Sequence, residues 1–180
     1  MQRKIFIGID LPFQAKKRLA QKLEKFADLP VKWIDPELFH VTLLFLGHIE
    51  NEDVPDLCER VREAVADQPM FEISLNHIEL GPDPNNPKLV WASGESNEEL
   101  RELFARVDKA ASSASVEKKT FRPHVTLGRL RHYAWMTLGE APVIDVEMNL
   151  AVPVDAVHIF ESSVEQGRTR YFSLEICPLQ

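Results

Sequence analysis

The stretches FHVTLLFLG at 39–47 and FRPHVTLGRL at 121–130 share a tetrapeptide, once as His40-Val41-Thr42-Leu43 and again as His124-Val125-Thr126-Leu127. Each copy lies in an apolar run with β-branched residues, the composition of a strand buried on at least one side. Side chains alternate across a strand, so His40 and Thr42 point one way while Val41 and Leu43 point the other. His124 and Thr126 repeat that arrangement, with Arg122 two residues earlier on their face. The spacing therefore predicts two rigid strands, each carrying an imidazole and a hydroxyl side by side over an apolar back.

Outward from these strands, residues 4–10 read as a buried strand, and Pro12 opens a helix in which Leu19, Leu23 and Phe26 recur at helical spacing until Pro30. A short strand at 31–34 precedes a turn at Asp35-Pro36, and Gly47 is expected to close the first motif strand. Asn51 is expected to cap a helix striped by Val54, Leu57, Cys58, Val61 and Val65. Phe71, Ile73 and Leu75 alternate with polar residues in a half-exposed strand. GPDPNNPK at 81–88 is a loop, and strand character resumes at 89–92. Ser96 with Glu99 forms an expected capping box for a helix bearing Leu100, Leu103, Phe104, Val107 and Ala111. Strands at 124–130, 144–150, 157–161 and 171–176 complete the order. Strands and helices do not alternate one for one, so the class is α+β with mostly antiparallel sheets. No low-complexity linker splits the 180 residues.

Composition narrows the partners. With 44% hydrophobic and 27% charged residues, the chain has an ordinary globular balance. No apolar run approaches the roughly 18 residues of a membrane helix. The apolar stretch at 5–9 is too short for a signal-peptide core and lacks a small-residue cleavage site, so a cytoplasmic protein is expected. Cys58 and Cys177 stand far apart and read as reduced, buried thiols. The six histidines form no HExxH-like spacing, so no metal site is expected. A net charge of −7 argues against broad binding to long nucleic acids. Yet Lys118, Lys119, Arg122, Arg129 and Arg131 form one basic window free of acids, which suits a small anionic target.

The motif residues have matching chemistry. Imidazole titrates near neutrality, so one ring can be neutral while the other is protonated. In-line displacement at phosphorus requires such a pair: a base on the incoming water and an acid on the departing oxygen. Thr42 and Thr126 can donate to non-bridging phosphate oxygens, and Arg122 can add positive charge. Leu38 holds the corresponding place before His40, so no motif-borne cation acts on that ring. His48, His77, His132 and His158 have no partner motif and read as packing or surface residues, and Trp33 and Trp91 as core.

The paired H-x-T-x motifs resemble those of the two-histidine (2H) phosphoesterase superfamily. Within it, the chain is most similar to the bacterial and archaeal RNA 2′,3′-cyclic phosphodiesterases, first called 2′-5′ RNA ligases. FIGIDLP, FHVTLLFLG, KLVWAS, FRPHVTLGRL and ESSVEQGRTRY follow that family's landmarks in order across nearly the whole chain. The resemblance implies a bilobed domain spanning 1–180, with two sheets and flanking helices in pseudo-twofold arrangement around a central cleft. Each lobe would carry one motif, at 40–43 and 124–127. It also implies hydrolysis of RNA 2′,3′-cyclic phosphate ends to a 2′-phosphate, with His40 as proton donor, His124 as proton acceptor, and no metal or organic cofactor. The expected partners are RNA ends or nucleotides carrying a 2′,3′-cyclic phosphate, with no membrane, and the expected state is a monomer. Two rival readings stay open at this point: a nucleotide-binding module that kept the cleft, and a reversible 2′-5′ RNA ligase. The segments 81–88 and 131–143 match no landmark of the family.

Overall fold

The computed structural model describes residues 1–111, 121–140 and 142–180. The first apolar run forms β1 (Gln2–Asp10), in which Ile5, Phe6, Ile7 and Ile9 are all buried because both faces of the strand are covered. Pro12 precedes α1 (Phe13–Leu23), which turns Ala15, Leu19 and Leu23 inward and ends in a 3₁₀ turn, Glu24–Phe26. After β2 (Val31–Trp33), the Asp35 carboxylate accepts the Glu37 amide at 3.0 Å. That bond caps a second 3₁₀ turn, Pro36–Leu38, which delivers the chain directly into β3 (His40–Glu50) and the first motif.

Next come α2 (Val54–Val65), β4 (Phe71–Gly81), β5 (Leu89–Gly94) and α3 (Glu98–Ala111). The second motif opens β6 (His124–Leu130), followed by α4 (His132–Met136), β7 (Asp145–Val154), β8 (Ala156–Glu165) and β9 (Arg168–Pro178). All five apolar residues of the expected α2 stripe are buried.

The strands lie in the order β7-β4-β5-β6-β3-β1-β8-β9, with β2 added against β6, and every pairing is antiparallel. The order contains one unit twice. β1, α1 and β3 in the first half correspond to β5, α3 and β6 in the second. The register repeats as well: Asp10 and Gly8 face His40 and Thr42, while Ser93 and Trp91 face His124 and Thr126. The two motif strands, β3 and β6, meet at one register pair, Val41 with Val125. The two sheets expected from the sequence are thus hydrogen-bonded into a single path through that seam. Behind it, Val41, Leu43, Val125 and Leu127 join Leu19, Val61, Leu103 and Val107 in one hydrophobic cluster. Each such buried side chain contributes roughly 1.5–3 kcal/mol relative to exposure, which makes the backs of the motif strands stiff supports.

Several boundaries differ from expectation. Gly47 does not end β3; its φ of 73° supports a bulge, where Ile5 pairs with Gly47 and Phe6 with Phe45, and the strand runs on to Glu50. Asp53, not Asn51, precedes α2. Asn97, not Ser96, caps α3 by accepting the Leu100 amide at 2.9 Å. The segment that matched no family landmark after β6 contains α4, anchored by the buried Trp135. Among the described residues, no helix is long and apolar enough to cross a membrane. Cys58 and Cys177 are free and buried.

Candidate active site

Phe39 and Pro123, the residues before the two histidines, are buried and pin the start of each motif strand. The extended chain then folds each imidazole back onto its own backbone. His40 donates from Nδ1 to the Leu38 carbonyl at 2.7 Å, and His124 donates from Nδ1 to the Arg122 carbonyl at 3.0 Å. A carbonyl only accepts, so Nδ1 carries hydrogen in both rings and Nε2 holds the lone pair of the neutral form. Here the two copies diverge. Thr42 Oγ1 donates to His40 Nε2 at 2.9 Å, whereas His124 Nε2 has no bond among the described residues.

His40, Thr42, His124 and Thr126 are all partly exposed, on one face of the seam. The His40 ring lies 4.8 Å from Phe6 and meets Tyr171 edge-on at 5.2 Å. Gly8, across from Thr42, lets β1 approach closely, since a Cβ there would sit 2.6 Å from the Val41 carbonyl oxygen. Asp10, across from His40, pairs with Lys16 at 2.7 Å. Burial under the aromatic rings holds the His40 pKa below its ordinary value, with the Leu38 carbonyl and Asp10 opposing and Lys16 and His124 adding to the lowering. Leu38 supplies no cation here, but Lys16 from α1 supplies one through space.

Around His124 the surroundings differ. Its ring lies 4.7 Å from Trp91, and the Arg122 guanidinium sits 5.6 Å over the same indole. Arg122 Nη2 donates to Glu79 Oε1 at 2.7 Å and to Ser93 Oγ at 2.8 Å, and Ser93 Oγ donates to the same Glu79 oxygen at 2.7 Å. Burial resists ionisation of Glu79, but the bond from Ser93 and the charge and bond of Arg122 hold its carboxyl below the usual range. Arg122 therefore stands beside the site as half of an ion pair with Glu79.

Sequence reasoning missed Glu79 and Ser93, which lie 43 and 29 residues from Arg122 and reach it only through strand pairing. Lys118 and Lys119 of the basic window lie outside the described residues. Beyond the Val41–Val125 pair the motif strands diverge, leaving a cavity of about 460 Å³ beside His124, lined by Leu44, Phe45, Trp91, Phe121 and Arg122. Among the described residues, no group of three His, Cys, Asp or Glu side chains is arranged to hold a metal ion. Of the other histidines, His158 stacks at 5.3 Å on Phe160, whose ring lies 6.2 Å from that of His40, and His77 lies 3.7 Å from Asp145.

The site thus gathers two imidazoles tethered through Nδ1, two hydroxyls and a guanidinium. A family model described as LigT like Phosphoesterase matches residues 9–91 and 92–171, one motif in each match. The RNA 2′,3′-cyclic phosphodiesterase of Thermotoga maritima is 26% identical, covering 97% of this chain and 95% of that protein. The Archaeoglobus fulgidus protein of the same name is 28% identical over 83% of this chain and 91% of its own. Among solved structures, E. coli LigT complexed with 3′-AMP superposes with a TM-score of 0.79 at 25% identity, covering 99% of both chains. TT0787 of Thermus thermophilus shares the fold, with a TM-score of 0.79 at 24% identity, covering 98% of this chain and 97% of that one. With both halves matched and one H-x-T-x motif in each, the chain belongs to the LigT-like phosphoesterase family.

Proposed function

We propose that this phosphoesterase hydrolyses RNA 2′,3′-cyclic phosphate ends to a 2′-phosphate, with His40 as proton donor and His124 as proton acceptor. The observation that carries the reading is the pair of imidazoles, tethered through Nδ1 alike, each with a threonine, facing one side of the seam. Relatives matching most of the chain bear the name RNA 2′,3′-cyclic phosphodiesterase, and a related LigT has been solved with 3′-AMP.

In this reading His124 Nε2 takes a proton from water as the water oxygen bonds to phosphorus. The bond from phosphorus to the 3′ oxygen breaks in line, and that oxygen receives the proton from Nε2 of protonated His40. The 2′ oxygen keeps its bond, so the product is a 2′-phosphomonoester with a free 3′ hydroxyl. Thr42, relieved of its bond to His40, and Thr126 donate to the non-bridging oxygens, and Arg122 supports the developing charge. The donor and acceptor order comes from the family resemblance. The open Nε2 of His124, against the occupied one of His40, supports it.

The test is incubation with a 2′,3′-cyclic mononucleotide in EDTA, followed by identification of the product isomer. A 2′-phosphate formed at an undiminished rate is expected. A 3′-phosphate product, or turnover abolished by exhaustive chelation and restored by a divalent ion, would overturn the reading.

A further inference from the structure

The guanidinium of Arg122 uses one edge twice. Nη2 alone makes both bonds, to Glu79 and to Ser93, and Nη1 and Nε make none among the described residues. The side chain is 52% exposed and stands between two cavities, one of about 460 Å³ that it lines with His124 and one of about 760 Å³ that it lines with Glu79 and Ser93. Arg122 is thus held by one amino group, with a second donor edge left over. A guanidinium has a rigid fork of donors, so fixing one amino group fixes the direction of the others. The same residue also supplies the carbonyl that holds His124 Nδ1.

We infer that Glu79 is a positioning residue of the reaction: with Ser93 it anchors Arg122, aiming the free guanidinium edge at the phosphate and steadying the carbonyl that orients His124. The inference rests on the reading of His124 as the base. Glu79 touches no substrate and acts only through Arg122. Its carboxylate also balances the arginine's charge, so that the cation is held in place without a loose side chain to order at each turnover.

The experiment is a double-mutant cycle of Glu79→Ala with Arg122→Ala, read as kcat and KM on a 2′,3′-cyclic nucleotide. Glu79→Gln runs in parallel, since it keeps an acceptor for Nη2 while removing the charge. Misaiming a charge-stabilising group by a fraction of an ångström costs roughly tenfold to a hundredfold in rate. Glu79→Ala is expected to lower kcat by about tenfold, with a smaller change in KM, and Glu79→Gln to fall between it and wild type. In the Arg122→Ala background the Glu79 substitutions should have no further effect, because the group they act through is gone. A Glu79→Ala enzyme within twofold of wild type would overturn the inference, as would a loss of the same factor with Arg122 already removed. His124→Ala separates the levels. Full activity in that variant sinks the underlying reading and this inference with it. An inactive His124→Ala alongside an unimpaired Glu79→Ala sinks the inference alone.

Discussion

Val41 stands opposite Val125 in antiparallel register, and that pair sets the flanking residues crosswise, with His40 next to Thr126 and Thr42 next to His124. Each imidazole therefore has one hydroxyl from its own strand and one from the other half. In the proposed mechanism, neither half of the sheet contains a complete set of groups for proton transfer and phosphate stabilisation.

Thr42→Val and Thr126→Val test the hydroxyls. Valine keeps nearly the same shape, and both positions are partly exposed, so the fold is expected to persist. Removing one donor to a developing oxyanion costs about 10²-fold in kcat. Steady-state kinetics beside thermal melts check this. Rates within twofold of wild type, with unchanged melting, would remove the threonines from the chemistry.

The division of labour between the histidines shows in the leaving group. A nitrophenyl phosphodiester expels an anion that needs no proton, so His40→Ala is expected to recover activity selectively on it. His124→Ala stays inactive on the same compound, because water still requires a base. The opposite pattern of rescue would exchange the two roles.

The motif residues were legible because their information is local. An H-x-T on a strand has one geometry, and repeating it 84 residues later fixed both faces. The α2 stripe and the antiparallel class were readable for the same reason, as periodicities within one element. What could not be read lives between elements. Arg122 meets Glu79 and Ser93 only because β4, β5 and β6 pair in a particular register, with shifts near Leu75 and Trp91. Ser96 and Asn97 are both good caps, and it is Asn97 that accepts the Leu100 amide. Gly47 signalled a break, but the same positive φ also serves a bulge within a continuing strand.

Burial lowers the pKa of both His40 and His158 from the ordinary 6.5. The unfolded chain then binds more protons than the folded one once pH falls below about 6.5, so stability is full above that value and is lost as pH drops through the folded values. The melting temperature of wild type is expected to decline from about pH 7 toward pH 5 more steeply than that of His40→Gln or His158→Gln. Equal slopes for all three proteins would refute the assignment. In the proposed mechanism His40 acts in its protonated form, so the same lowering is expected to draw the alkaline limb of the rate profile toward lower pH.

Gly8 pairs with Thr42 on one side and His158 on the other, so β1 cannot move away from an added side chain. Gly8→Ala would set a Cβ 2.6 Å from the Val41 carbonyl oxygen and 3.6 Å from His40 Cδ2. Overpacking of this kind costs roughly 1–3 kcal/mol, and here the displaced strand carries the first motif. Urea unfolding is expected to show a lower midpoint, together with reduced turnover. An unchanged midpoint would mean that the seam yields more easily than its register implies.

The two carbonyls that receive Nδ1, those of Leu38 and Arg122, have a consequence for how the site tolerates change. Every amino acid brings the same carbonyl, so no substitution at position 38 or 122 can delete the acceptor itself. The choice of reactive nitrogen is written in the backbone and immune to point mutation at either position. Only a distortion of the strand's path can erase it, so the proton stays on the same side of each ring whichever side chain stands at position 38.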